Sequence, residues 1–298
     1  MNALRIGTRR SALALAQAEE VQDLLAGHGI DAELVPMTTS GDEGAAPAPG
    51  AAGLKGLFVD AILDALEEGE IDLAVHSAKD LPTEDDGFVI AAVPERADPF
   101  DVLVMHAGTL PEGARIGTSS VRRKAQLLAI HAGVRVVDLR GNVDTRLRKV
   151  AEGEVDAAVL AAAGLARLNA EPPHVMPLTL EGMVPAPGQG TLALQTREDD
   201  FATRATLAPL DHRESHMALD AERSLMWRLG GSCDLPLGAY ATVHRSGRVG
   251  MVALVASPDG GRVIRIRVEG ESPEDVAALA AKELIAQGAE QILEGTAG

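Results

Sequence analysis

RIGTSS at residues 115–120 echoes RIGTRRS at 5–11, and GEVDAAV at 153–159 echoes GEIDLAV at 69–75. The two echoes come in the same order, and they decide the fold. Around the first copy, LRIGT (4–8) reads as a short strand. SALALAQAEEVQDLLA (11–26) follows as a helix, with Leu13, Val21, Leu24 and Leu25 at helical spacing, Ser11 as N-cap and Gly27 or Gly29 as the stop. IDAELVPM is a second strand, FVDAILDALEEG a helix and IDLAVHS a buried strand. The order β-α-β-α-β predicts a mostly parallel sheet. Around the second copy a helix (VRRKAQLLAIHAG), a strand (VRVVDL) and a helix (NVDTRLRKVAEG) repeat that order. The chain therefore reads as an internal duplication of one α/β unit. GDEGAAPAPGAAGLKG, rich in Gly, Ala and Pro and without periodicity, is a mobile insertion in the first copy alone.

Two similar lobes imply a central cleft, and clefts between domains are favoured ligand sites. The chain is expected to cross between lobes near VPERADPFD (93–101) and VPAPGQG (184–190). That places the first lobe at residues 1–95 with 190–209 and the second at 99–185. A third domain at 212–298 has another texture. RESHMALDAERSLMWRLGG is a helix, and strands punctuated by the hairpin signals HRSGR and SPDGG follow. A last helix starts with Ser272 as N-cap and Pro273 in the first turn. This is a small α+β domain with an antiparallel sheet.

Hydrophobic residues make up 46% of the 298, enough for sizeable cores, and at 2% aromatic those cores must be built from Ala, Leu, Val and Ile. No apolar run is long enough to span a membrane, and MNALRIGTRRS has no apolar signal core. One cysteine and no export signal point to the cytoplasm. A net charge of −17 repels nucleic acid and anionic membranes, which weakens the nucleic-acid reading that VRRK alone would suggest. A two-lobed duplication also suits a solute-binding protein, but that class predicts an export signal and needs neither the third domain nor a cysteine.

The arginines mark the chemistry. Arg9 follows the first strand at a helix N-terminus, Arg122 and Arg123 occupy the matching place in the second lobe, Arg140 precedes Gly141, and Arg146 lies one turn into the next helix. Singly, each reads as a solvated surface arginine. As a set repeated at strand-to-helix turns of both lobes, they point to anion binding through guanidinium forks and free helix N–H groups. HSAKDLP (76–82) ends a buried strand with Lys79 beside Asp80. Asp80 is either a capping aspartate or, at the C-terminal edge of a parallel sheet, a carboxylate that stabilises a cation or moves a proton. Cys233, in GGSCDLPLG, is either a small buried hydrophobe or an exposed functional thiol. Of the eight histidines, only His212 and His216 stand four apart, and no third metal ligand accompanies them, so all read as surface or capping histidines.

RIGTRRSALALAQ, LKGLFVDAI, AVHSAKDLP, IGTSSVRRKAQL, LRGNVDTRL, LAAAGLARL, APGQGTLAL and CDLPLGAYA together resemble the porphobilinogen deaminase (hydroxymethylbilane synthase) family, in family order from residue 4 to about 242. The resemblance implies duplicated periplasmic-binding-protein-like lobes. It also implies a transferase that joins four porphobilinogens head to tail into hydroxymethylbilane, releasing ammonia, in tetrapyrrole and heme biosynthesis. It implies a dipyrromethane primer tethered through a thioether to Cys233, with Asp80 as the catalytic aspartate. Lys79, Asp80, Ser120, Arg122, Arg123, Arg140, Gly141 and Gln189 match positions that hold the cofactor. Arg9, Ser11, Arg146 and Arg167 match substrate-binding positions, and Lys55 resembles a lid residue. The small-molecule substrate is the expected partner, the monomer the expected state, and no metal, membrane or nucleic acid is implied. Arg10, Ala12, Ala78 and Asp60 depart from the common family pattern; none is assigned to chemistry.

Overall fold

In the structure, a computed structural model describing residues 3–37, 60–83, 87–131, 133–230 and 235–295, the echoed residues bind one another. Arg5 grips Asp72 through its backbone N–H (2.9 Å), Nε (3.1 Å) and Nη2 (2.6 Å). Arg115 grips Asp156 in the same way, at 2.7, 3.2 and 3.3 Å. Half-exposed ion pairs of this kind contribute about 1 kcal/mol or less. Their use is register, because the backbone bond ties the first strand of each repeat, β1 or β6, to its third, β3 or β8, at one position. The echoed glycines have a packing reason. A Cβ on Gly117 would lie 2.9 Å from Leu139 Cβ, and one on Gly7 would strike the Ile71 side chain.

The chain divides into two compact units, Met1–Arg96 with Thr191–His216 and Ala97–Gly190 with Met217–Gly298. The first holds strands β1 (Leu4–Arg9), β2 (Ala32–Met37), β3 (Leu73–Ser77) and β4 (Phe88–Ala92). In the second lie β5 (Asp101–Met105), β6 (Arg115–Gly117), β7 (Arg135–Val137), β8 (Ala157–Ala161) and β9 (Val175–Pro177); β10 (Leu192–Arg197) returns to the first. The sheet orders are β2-β1-β3-β10-β4 and β7-β6-β8-β5-β9, the same topology twice. β1 and β6 pair in parallel with both neighbours. β10 and β5, however, run antiparallel to the strands beside them. Four strands of each sheet therefore run one way, as the mostly parallel reading expects, and one strand, β10 or β5, opposes them. The apolar runs DVLVM and LALQTR mark buried strands but carry no mark of direction, and each enters its sheet just after a crossing segment. Ala97 N–H donates to Gly190 O (3.2 Å), and a Cβ at Gly190, whose φ is +84°, would lie 2.6 Å from Ala97 O.

Helices cover both faces of the lobe sheets. α1 (Ala12–Gly27) is capped by Ser11, whose hydroxyl accepts from Ala14 N–H. It packs Ala18, Val21 and Leu25 against Leu73, Val75, Leu192 and Leu194. α2 (Asp60–Glu67) lays Ile62, Ala65 and Leu66 on Ala74 of the other face. α3 (Val121–Ile130), α4 (Val143–Ala151) and α5 (Ala162–Arg167) belong to the second lobe, where Val143, Leu147 and Val150 pack on Val102, Val104 and Leu160. α6 (Phe201–Leu207) and α7 (Arg213–Arg228) lead into the C-terminal part.

There the hairpins form as expected. β11 (Leu237–Val243), β12 (Val249–Ala256) and β13 (Val263–Gly270) make an antiparallel sheet. Val252, Leu254 and Ala256 of its one face pack on Ala125 and Val184. Buried Glu222 accepts from Gly188 N–H (2.6 Å) and Ala241 N–H (2.7 Å). Ser272 caps α8 (Pro273–Ala286) as read from sequence. The last helix is nevertheless two: Gly288 at φ +90° breaks it, and α9 (Ala289–Glu294) follows.

Candidate functional site

In the first unit, the assigned residues gather at the C-terminal edge of the parallel strands. Arg9 ends β1 and Ser11 caps α1. β3 runs directly into a single 3₁₀ turn, Ala78–Asp80, pinned where Ala78 N–H donates to Thr191 O (3.0 Å). That turn presents Lys79 and Asp80, both half-buried. His76, in β3 just before the turn, is buried; burial pushes its pKa down to about 4 although Asp80 pulls it up, so the ring is neutral at pH 7. On the opposite sheet face Gln17 donates to Ser77 Oγ (2.7 Å), bracing the strand end.

In the second unit, Ser120 caps α3 by accepting from Arg123 N–H (3.4 Å), and the first turn of α3 carries the twin arginines. Both are inside the protein, 4% and 6% exposed. Their partner is Asp101, the first residue of β5, which sequence reasoning missed. Arg122 Nη2 donates to Asp101 Oδ2 (2.9 Å) and Arg123 Nη2 to Oδ1 (2.7 Å). Gln189 Nε2 donates to the same Oδ1 (2.8 Å) and to Pro99 O (2.8 Å). Burial alone would raise the Asp101 carboxyl, but Arg123 and Arg122 outweigh it and hold it well below the usual carboxylate range. Arg122 Nη1 also donates to Val184 O, and Arg123 Nη1 to Val159 O (3.0 Å). The Nε of each arginine is buried and meets no hydrogen-bonding group. Two guanidinium groups against one carboxylate leave one unit of positive charge. The only sequence trace of Asp101 was an acid opening an apolar strand; nothing in spacing links it to residues 122 and 123.

Arg140 lies on the surface, its Nε 2.9 Å from Asp138 Oδ2. Gly141 holds φ +112°, a conformation suited to glycine. Arg146 Nε donates to the Gly141 carbonyl (2.8 Å), drawing the two ends of the β7–α4 turn together. Arg167 closes α5 and its Nη2 reaches Gly190 O at 3.4 Å. Arg122, Arg123, Arg140, Arg146 and Arg167 thus all follow the C-terminal ends of β6, β7 and β8. Cys233, Lys55 and the 41–56 insertion fall outside the described residues. Among the described residues, no group of three or more His, Cys, Asp or Glu could hold a metal ion, and no helix is long and apolar enough to cross a membrane.

Two family models match this chain: the dipyrromethane cofactor-binding domain of porphobilinogen deaminase over residues 4–205, and that enzyme's C-terminal domain over 217–286. The chain belongs to the porphobilinogen deaminase family. Porphobilinogen deaminase of Brevibacillus brevis is 44% identical over 300 residues, covering 98% of this chain and 97% of that protein. The porphobilinogen deaminase of Syntrophotalea carbinolica is 46% identical over 301 residues, covering 98% and 95%. Porphobilinogen deaminases are transferases, and dipyrromethane is the family's cofactor. Among solved structures, the methionine-binding protein MetQ aligns at a TM-score of 0.43 and 16% identity, over 70% of this chain and 89% of that one.

Proposed function

We propose that this chain condenses four porphobilinogen molecules head to tail into the linear tetrapyrrole hydroxymethylbilane, releasing one ammonia per addition. The observation that carries the reading is the full-length likeness to porphobilinogen deaminases, with the cofactor-binding model spanning both lobes. The donor set fits a dipyrromethane. Its carboxylates call for cationic N–H groups, and Arg122 and Arg123 form a cluster with one surplus positive charge and two unmet Nε–H groups. We assign Cys233 as its thioether anchor, with Lys79, Asp80, Ser120, Arg122, Arg123, Arg140, Gly141 and Gln189 holding it. When bound, the cofactor supplies a nucleophilic pyrrole carbon and a fixed end for the chain.

The rest is the work of this chain's residues. Arg9, Ser11, Arg146, Arg167 and Lys55 receive the acetate and propionate of incoming porphobilinogen. As the C–N bond of the aminomethyl group breaks, positive charge spreads to the pyrrole nitrogen. Asp80, on the short turn after β3, faces that charge and lowers the barrier by electrostatic preorganisation. With the cofactor bound, its free pyrrole α-carbon would supply the nucleophile for the new C–C bond, and the proton lost from that carbon would balance the ammonia released. Tethering makes one partner of each addition intramolecular. The enzyme acts as a cytoplasmic monomer on a small molecule, without membrane or nucleic acid; the charge of −17 supports this. We further propose that residues 1–95 with 190–209, 99–185 and 212–298 are its three domains. Purified holo-protein given porphobilinogen should release ammonia and tetrapyrrole in a ratio of about four to one; release of neither would refute the reading.

A further inference from the structure

Among the described residues, four buried polar atoms on one sheet face of the first lobe meet no hydrogen-bonding group: Nε2 of His76, Oγ1 of Thr191, and both amide atoms of Gln195. All three residues are more than nine-tenths buried. They share one surface. β10 runs against β3 with Ala193 opposite His76 and Gln195 opposite Ala74. Side chains alternate along strands. Thr191 and Gln195 therefore lie with His76 and Ala74 on the face that α2 covers, away from Leu192, Leu194 and Val75 beneath α1. Same-face residues stand about 7 Å apart along a strand. The polar atoms thus form a seam of roughly 13 Å, from Gln195 past His76 to Thr191. Its Thr191 end meets the turn that carries Asp80, because Thr191 O accepts from Ala78 N–H (3.0 Å).

The duplication supplies an internal control. Gly7 pairs with Ala74 in the first lobe and Gly117 with Ala158 in the second, which fixes the correspondence. On it, Leu160 stands where His76 does and Val104 where Gln195 does. Those two belong to a continuous apolar cluster under α4. The fold is therefore built equally well with apolar side chains at these positions, and the polar version occurs in the lobe that carries Asp80. Unpartnered buried polar groups are costly, and native interiors meet them with ordered water. Neutral His76 offers one donor and one acceptor nitrogen, as a water chain requires.

We propose that the α2-side face of β3 and β10 holds a short chain of ordered water molecules, bound by His76, Gln195 and Thr191, that fixes the turn presenting Asp80. His76 and Gln195 are then positioning residues for Asp80. The inference rests on the reading of Asp80 as the catalytic carboxylate. The test pairs a high-resolution crystal structure of the holo-protein with the double variant His76→Leu/Gln195→Val, which carries the second lobe's residues. The wild type should show waters within about 3.2 Å of His76 Nε2 and the Gln195 amide. The double variant should fold, be dry along the seam, and lose about tenfold or more in kcat with KM within twofold. A dry wild-type seam, or full kcat in the folded variant, overturns the proposal. If the double variant does not fold, Gln195→Met decides. A wet seam predicts a melting temperature lower by about 2–4 °C. A dry one predicts a rise, because an unsatisfied amide has been removed. An active Asp80→Ala holo-protein would remove the catalytic reading while leaving the waters in place. A dead Asp80→Ala beside a dry wild-type seam would remove only the present inference.

Discussion

Asp101→Asn tests the arginine cluster most sharply. The side chain is fully buried, and its oxygens accept from Arg122 (2.9 Å), Arg123 (2.7 Å) and Gln189 (2.8 Å). Asparagine keeps the shape but removes the only negative charge in that set and turns an NH2 toward donors. Breaking a buried ion pair by deleting one partner costs about 3–5 kcal/mol, because a buried charge is left uncompensated. Here two charges are left, so the upper end, about 5 kcal/mol, is expected. In a chain of this size that is a fall in Tm of about 10–20 °C. The pH dependence has a definite sign. Asp101 is held below its ordinary value in the fold, so its contribution is fully present above that ordinary value, about 3.9, and fades as pH falls through the depressed one. Thermal and urea unfolding of both proteins from pH 3 to 8 should show a constant gap down to about pH 5 that narrows below about pH 4. A gap under about 1 kcal/mol at neutral pH, or one that widens in acid, would refute the reasoning.

Asp80→Ala should fold and bind porphobilinogen yet lose about 10²–10³ in kcat, the loss expected from removing one preorganised electrostatic partner; near-normal tetrapyrrole release in steady state would remove Asp80 from the mechanism. Arg140→Leu and Arg146→Leu should each raise KM about 10–150-fold, the equivalent of losing one charge-assisted carboxylate bond worth about 1.5–3 kcal/mol; unchanged KM in both would return them to the solvated surface. His76, neutral in the fold with a pKa of about 4 against 6.5 ordinarily, makes the unfolded chain the better proton acceptor between those values. Wild-type stability should therefore fall by up to about 3 kcal/mol from pH 6.5 to pH 4, and His76→Leu should flatten that slope in urea titrations.

The duplication was legible because its markers are tied to geometry. Arg5 and Asp72 must coincide to hold β1 on β3, and Arg115 and Asp156 do the same for β6 and β8. Caps were legible for the same local reason: Ser11 and Ser272 each bond within three residues. Strand direction was not. The antiparallel course of β5 and β10 follows from where the chain crosses, which no short run of apolar residues encodes. Asp101 escaped notice because its partners are 21 and 22 residues away and meet it only in the folded sheet. The same holds for Glu222, which joins Gly188 to Ala241. The break at Gly288 was masked by helical residues on both sides.

The central claim is that a primer of two pyrrole units hangs from Cys233, and the mass of the intact holo-protein tests it most directly. Denatured protein should weigh more than its 298-residue sequence by one dipyrromethane, and a pyrrole-reactive aldehyde should colour it. Cys233→Ala should weigh its bare sequence mass, turn over no porphobilinogen, and melt at a lower temperature, since the bound carboxylates no longer add their binding energy to the folded state. Fully active wild-type protein at bare sequence mass would contradict the account.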